Sequence, residues 1–259
     1  MLGIAYLDGL IYGLLICAAC ALAAVELRGM LRAAHYAPLD LTLIGLAVLL
    51  PLDAWLSPSA GGWSIAPEGV LIVVVVLMAS LVALVLRRGS EHAMVDWALS
   101  LVLGLYLGGL MQFYLPLRRA PADVPGFWVM AVLGLSWICD SCAYFVGRAF
   151  GRTPLAPTVS PRKSLEGAIA GLVGATLAGL LLALLPIGVS PLVLGGFGLA
   201  IGLATVLGDL AESLLKRQTG VKDSGVLIPG HGGLLDRMDS LLFCAPVAVV
   251  YLHAFAAAT

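Results

Sequence analysis

The chain has 259 residues, 61% of them hydrophobic and only 11% charged, with a formal net charge of −1 at pH 7. A soluble domain carries about a quarter charged residues, so this composition excludes an ordinary soluble enzyme and implies a membrane-embedded chain. Long apolar runs, in place of short alternating segments, exclude an outer-membrane barrel, and no nucleic-acid partner is expected.

About 20 apolar residues cross a bilayer as a helix. On that measure the sequence predicts an all-α, polytopic transmembrane bundle of about eight spans, within a range of seven to nine. They cover roughly 3–27, 41–57, 69–86, 94–116, 126–147, 166–187, 191–215 and 235–257. Pro51 and Asp53 interrupt the second, which also reads as a re-entrant segment. No basic segment precedes the first apolar run, so a cleaved signal peptide is not expected. Residues 1–125 form a plain N-terminal set of transmembrane helices, and 126–259 a polar, catalytic C-terminal region, together one integral membrane domain.

Arg28 and Arg32, Arg87 and Arg88, the group from Arg148 to Lys163, and the group from Lys216 to Arg237 all fall at odd-numbered connections. Only Arg118 and Arg119 fall on the other side. The positive-inside rule then puts both termini outside and the two polar connections, the fifth and the seventh, together in the cytoplasm. Gly104/Gly108, Gly167/Gly171 and Gly198/Gly202 are GxxxG pairs, read as close helix packing within the bundle, with a homodimer as the alternative. Cys17, Cys20, Cys139, Cys142 and Cys244 lie in apolar stretches and read as small buried hydrophobes. The CxxC of Cys139 and Cys142 lacks the surroundings of a redox motif.

Along the fifth span Ser136, Asp140 and Tyr144 repeat on one helical face, and Asp140 is deep enough in an apolar run to point into the bundle. The following loop supplies Arg148, Arg152, Arg162 and Lys163, which either obey topology or bind anions. The seventh span ends with Asp209, Glu212, Ser213 and Lys216 on one face. Local ion pairing at a solvated helix end accounts for Glu212 and Lys216 but not for Asp209, at the edge of the apolar run.

The eighth span opens with Asp236 and Asp239 one turn apart. Such a pair repels unless a cation or a proton intervenes, and oxygen ligands suit Mg²⁺, Ca²⁺ or Mn²⁺. A capping role at a helix start is the other reading. Between the two spans, Gly225, Gly230, Gly232 and Gly233 let the backbone turn tightly and approach a ligand, and free N–H groups in such a loop favour anions. With Lys216, Arg217, Lys222 and Arg237 nearby, the segment suits a phosphate–metal complex. His231 is a candidate ligand contact, and His35, His92 and His253 are given no role.

The pattern Ser213-x-Leu-Lys-Arg, Lys222-Asp223-x-Gly225, and Ile228-Pro229-x-His231-Gly232-Gly233-x-x-Asp236-Arg237-x-Asp239 resembles the signature of phosphatidate cytidylyltransferases, also called CDP-diacylglycerol synthases. Asp140-Ser-x-Ala-Tyr144, Phe150-Gly-Arg and Ser160-Pro-Arg-Lys-Ser-x-Glu166-Gly are similar to further family segments. The resemblance implies attack of the phosphatidate phosphate on the α-phosphorus of CTP, giving CDP-diacylglycerol and pyrophosphate; the Ala-, Leu-, Gly- and Arg-leaning composition suggests a bacterial inner membrane, and the positive-inside rule a site facing the cytoplasm. It implies Mg²⁺, with potassium as a second cation, held by Asp209 and Asp236 with Asp223 and Asp239 close by. Lys216, Arg217, Lys222 and Arg237 are expected to clamp phosphates. Asp140, Tyr144, Ser160, Arg162, Lys163, Glu166, Ser213, Asp223, His231, Gly232 and Gly233 are expected at the substrates. A CTP-dependent enzyme acting on an isoprenoid lipid, and an ion-coupled transporter using Asp140 and Asp209, are the alternatives.

Overall fold

The computed structural model describes residues 9–56, 67–86, 92–120, 122, 124–225 and 232–255. Apolar sequence with its backbone polar groups paired internally favours helix in a bilayer, and helices dominate the described residues. The chain divides into two compact units: residues 7–116 with 216–238, and residues 117–215 with 239–259, the latter also taking in 1–6.

In the first unit, α1 (Gly9–Ala33), α2 (Asp40–Leu56), α3 (Pro67–Leu86) and α4 (Ala93–Gly104) precede a π-helical turn (Leu105–Gly109) and the start of a short α5 (Tyr114–Arg119). The second predicted span is one continuous helix, and it is the centre of this unit. α2 packs on α1, α3 and α4, and Leu43, Leu46 and Ala47 are fully buried. Its 17 residues reach about 25 Å, short of a full hydrocarbon core.

Gly104 and Gly108 face α2. A Cβ on Gly108 would stand 2.8 Å from the Ala47 Cα, and the helix widens to π geometry where this close approach occurs. α1 runs past its predicted end and carries Arg28 and Arg32 on its last turns, where both reach Asp40. His35 closes the helix at φ 64°: its N–H bonds the Arg32 carbonyl, and that of Tyr36 bonds the Leu31 carbonyl. Asp96 Oδ1 and Ser100 Oγ then accept from the N–H groups of Ala37 and Leu39 at 2.9 and 2.8 Å, fastening this turn to α4.

The second unit holds α6 (Phe127–Phe150), a hairpin of β1 (Pro154–Ala156) and β2 (Ser160–Ser164), α7 (Leu165–Leu181) with a 3₁₀ turn (Leu182–Leu184), α8 (Pro191–Gln218) and α9 (Leu235–Phe255). The last turn of α8 and the first of α9 belong to the other unit. The antiparallel hairpin is an addition to the all-α expectation.

Glycine brings α6, α7 and α8 together. A Cβ on Gly171 would lie 2.9 Å from the Cys139 carbonyl oxygen, and one on Gly198 would lie 2.9 Å from the Ala175 carbonyl carbon and 3.2 Å from the Gly179 Cα. The GxxxG pairs are thus used within the units. Thr205 Oγ1 lies 3.1 Å from Ser136 Oγ and 3.4 Å from Cys244 Sγ, a buried polar knot joining α6, α8 and α9. Ser136 therefore supports structure, not the site. All five cysteines are free thiols.

Among the described residues, seven helical stretches are long and apolar enough to cross a membrane, α4 through α5 counting as one and α2 falling outside them. This is a multi-pass membrane architecture.

Candidate active site

In the unit built on α6 to α9, Asp140, Tyr144 and Arg148 descend one face of α6, as the four-residue spacing requires. The hairpin brings Ser160, Arg162 and Lys163 back over this face. It stands where it does because Glu166, in the first turn of α7, accepts from the N–H groups of Arg152 and Thr153 (3.1 Å each) and from Thr153 Oγ1 (2.9 Å). Ser164 caps α7 by accepting from the Gly167 N–H. Glu166, expected at the substrates, thus has its carboxylate engaged in holding the loop.

These elements enclose a cavity of about 630 Å³ lined by Asp140, Tyr144, Arg148, Ser160, Arg162, Lys163 and Asp209, with apolar walls from Ala143, Leu155 and Val206. Three cationic side chains and two carboxylates line it. Lys163 Nζ is paired with Asp209 Oδ2, and Arg148 donates to the Tyr144 hydroxyl at 2.9 Å.

At the end of the cavity where Asp209 lies, Asp209, Glu212 and Asp239 each offer a carboxylate oxygen, all within 4.8 Å of one another. Asp209 and Glu212 are one turn apart on α8, and Asp239 arrives from α9. The crossing is close because residue 208 is glycine: a Cβ there would lie 2.8 Å from the Asp239 carbonyl oxygen and 2.9 Å from the Ser240 Cα. Asp239 Oδ1 is oriented by the Ser240 N–H at 2.7 Å, and Ser213 donates weakly to Asp209 at 3.4 Å.

Glu212 is fully buried. A buried carboxylate beside two others is costly unless a cation neutralises the group, so this oxygen-rich set fits a hard divalent ion. The sequence reading expected Asp209 and Asp236 at the metal, with Asp223 and Asp239 close by, and offered local ion pairing as one account of Glu212; the group formed here is Asp209, Glu212 and Asp239.

In the other unit Lys216 is paired elsewhere. Its ammonium donates to Asp236 Oδ1 at 2.7 Å. Asp236 Oδ2 accepts from the Ser224 N–H (2.9 Å), the Ser224 hydroxyl (2.9 Å) and the Gly233 N–H (2.8 Å). Both oxygens of Asp236 are thus engaged, in a cradle at the start of α9. Gly220, at φ 71°, ends α8: its N–H bonds the Arg217 carbonyl, and the Val221 N–H bonds that of Lys216. Gly232 is also left-handed, at φ 78°, and a Cβ there would stand 2.6 Å from Asp236 Oδ2.

Lys222, Asp223, Arg217 and Arg237 are exposed. His231, with Ile228 and Pro229, lies outside the described residues. One participant escaped the sequence reading altogether: Glu26 of α1 accepts from the N–H groups of Leu234 and Leu235 at 2.8 and 2.9 Å. Its only signal was a carboxylate inside an apolar run.

The chain is 43% identical over 152 residues to the phosphatidate cytidylyltransferase of Thermotoga maritima, covering 56% of this chain and 55% of that one. It is 33% identical over 250 residues to the one of Synechocystis, covering 86% and 82%. It is 50% identical over 129 residues to the one of Haemophilus influenzae, covering 46% and 43%. The matched segments thus span about half the length of two of these relatives and four fifths of the third. The sequence model of the cytidylyltransferase family matches residues 1–255, and the chain belongs to that family.

Proposed function

We propose that this chain transfers the cytidylyl group of CTP to phosphatidate, releasing pyrophosphate and forming CDP-diacylglycerol. The observation that carries the reading is the cavity lined by Arg148, Arg162, Lys163, Asp140 and Asp209, beside the trio of Asp209, Glu212 and Asp239. Cations for phosphate and acids for a divalent ion, at adjoining positions, are what the joining of two phosphates requires. The names of the relatives supply the substrates.

A lipid phosphate oxygen attacks the α-phosphorus of CTP, the bond from that phosphorus to the bridging oxygen breaks, and pyrophosphate carries the electron pair away. The nucleophile is largely ionised at neutral pH, so the protein supplies positioning and charge rather than a strong base. Arg148, Arg162 and Lys163 neutralise phosphate oxygens in the cavity. Lys216, Arg217, Lys222 and Arg237 are assigned to phosphates by their place in the signature, as are His231, Gly232 and Gly233. Tyr144, Ser160 and Asp140 line the nucleotide side.

Mg²⁺ would be held by Asp209, Glu212 and Asp239, whereas Asp236, a ligand by the resemblance alone, has both oxygens engaged by Lys216, Ser224 and Gly233. When bound, Mg²⁺ screens the phosphates from one another and assists the leaving group. Glu166 and Ser213 orient the residues that touch substrate. The distribution of Lys and Arg supports a site opening to the cytoplasm.

The test uses purified protein in detergent with CTP labelled at the α-phosphorus, Mg²⁺ and either phosphatidate or a polyprenol. Label entering the lipid fraction with phosphatidate alone is expected. Label-free phosphorylation of the polyprenol, or no product with either, overturns the reading.

A further inference from the structure

We infer that Glu26, on the first transmembrane helix, is a positioning residue for this transfer: it ties Ser224 to the N–H groups of Leu234 and Leu235 at the start of α9, and so fixes the cradle in which Lys216 and Asp236 are held. The inference rests on the functional reading above.

Glu26 stands in a helix whose other described charges, Arg28 and Arg32, lie in its last two turns. A carboxylate in a spanning segment is expensive unless it is paired with donors. Glu26 takes its donors from residues about 200 positions away. Oε1 accepts from the Leu234 N–H at 2.8 Å, and Oε2 accepts from the Leu235 N–H at 2.9 Å and from the Ser224 hydroxyl at 3.1 Å. These backbone donors open α9 and have no partner within the helix, so a carboxylate there is bound both by charge-assisted hydrogen bonds and by the helix dipole.

The same Ser224 hydroxyl is 2.9 Å from Asp236 Oδ2. One hydroxyl therefore lies between two carboxylates, and Glu26 and Asp236 hold the start of α9 as a pair. The glycines agree. A Cβ on Gly225 would stand 2.8 Å from Glu26 Oε1, and one on Gly233 would stand 2.6 Å from Glu26 Cδ. Part of the glycine requirement of the signature thus comes from the protein's own carboxylate, not from a ligand. Glutamine cannot replace it: whichever way the amide turns, its NH₂ group faces one of two N–H donors.

Glu26 does not itself touch a reacting group, so its loss should lower kcat more than it raises KM. In the labelled-CTP assay E26Q is expected to lose about 100-fold in kcat, the scale of a misplacement of roughly 1 Å, with KM for CTP within about threefold. S224A, which deletes only the shared hydroxyl, loses about tenfold, and E26Q/S224A is no slower than E26Q because both changes break one cradle. D96N removes another carboxylate of the same unit, one that accepts from the Ala37 N–H, and should lower the unfolding temperature without lowering kcat.

Wild-type kcat in E26Q or S224A, multiplicative losses in the double variant, or an equal loss in D96N would overturn the role of Glu26 while leaving the transfer reading intact. S224A carries the test if E26Q does not fold. A wild type that forms no CDP-lipid overturns both.

Discussion

Lys216 Nζ and Asp236 Oδ1 meet at 2.7 Å, across a chain separation that contains the whole glycine-rich segment. Their side chains keep 17% and 10% of their exposure, so the pair is largely withdrawn from solvent. D236N removes the charge opposite Lys216 and presents an NH₂ group to donors from Ser224 and Gly233. Destabilisation of up to about 3 kcal/mol is expected, measured by thermal unfolding in detergent. Product formation should fall below about 1% of wild type while the helical circular dichroism persists. K216M leaves the Ser224 and Gly233 donors in place and should unfold at a higher temperature than D236N. Wild-type-like turnover in D236N would remove Asp236 from the site.

The trio of Asp209, Glu212 and Asp239 predicts a metal-dependent stability. An ion bound at 100 times its dissociation constant stabilises the fold by about 2.7 kcal/mol. Mg²⁺ or Mn²⁺ should therefore raise the unfolding temperature of the wild type, and chelation should reverse the rise and abolish turnover. E212Q removes one of three neighbouring like charges. It should unfold later than wild type in chelator and gain less from the ion. Mn²⁺ binding followed by electron paramagnetic resonance should weaken at least tenfold in D209N, E212Q and D239N. Unchanged binding in all three would place the ion elsewhere.

Glu166 holds the hairpin by three donors from Arg152 and Thr153. E166Q keeps one acceptor oxygen but turns an NH₂ group toward a backbone N–H, which loosens the hairpin and lets Arg162 and Lys163 drift from the cavity. The expected signature is a several-fold rise in KM for CTP, with kcat within about twofold, and faster proteolysis between Phe150 and Leu165. Insensitivity of KM would mean that the hairpin is held by other contacts.

Much of the architecture was legible because bilayer physics is simple: apolar runs of sufficient length must be helices. The parts that were not legible each arise from tertiary contact. The second span looked broken at Pro51, yet α2 is a continuous helix surrounded by α1, α3 and α4. The β-hairpin has only three and five residues in its strands, and Ser-Pro-Arg-Lys-Ser shows no alternation of apolar and polar positions. The π turn follows from Gly108 meeting Ala47, which no local pattern reveals.

Among the acidic residues, Asp209 and Asp239, both singled out by helical spacing, stand together with Glu212. Spacing alone left Glu212 open, because Lys216 four residues on is an equally natural partner; in the structure Lys216 pairs with Asp236. Glu26 was overlooked because its partners are Ser224, Leu234 and Leu235, and sequence distance hides such a bond. The rule applied to Asp140, that a carboxylate in an apolar run needs a reason, would have found it.

The crossing of α7 and α8 makes a further prediction. A Cβ on Gly198 would lie 2.9 Å from the Ala175 carbonyl carbon, whereas one on Gly29 meets nothing within 4 Å. G198A should cost about 1–3 kcal/mol through overpacking, and G29A should leave the unfolding temperature unchanged within error. Equal effects of the two would mean that this crossing opens in the membrane.

That crossing also constrains how greasy cargo travels. Where Gly179 and Gly198 press backbone to backbone, with 3.2 Å between the Gly179 Cα and the point a methyl on Gly198 would occupy, no methylene chain can slip through. The seam is a weld. Under the proposed transfer, fatty tails arriving from the leaflet and the heavier product leaving for it would have to pass along some other flank of the bundle, and bulk added at this weld would strain the scaffold without narrowing their path.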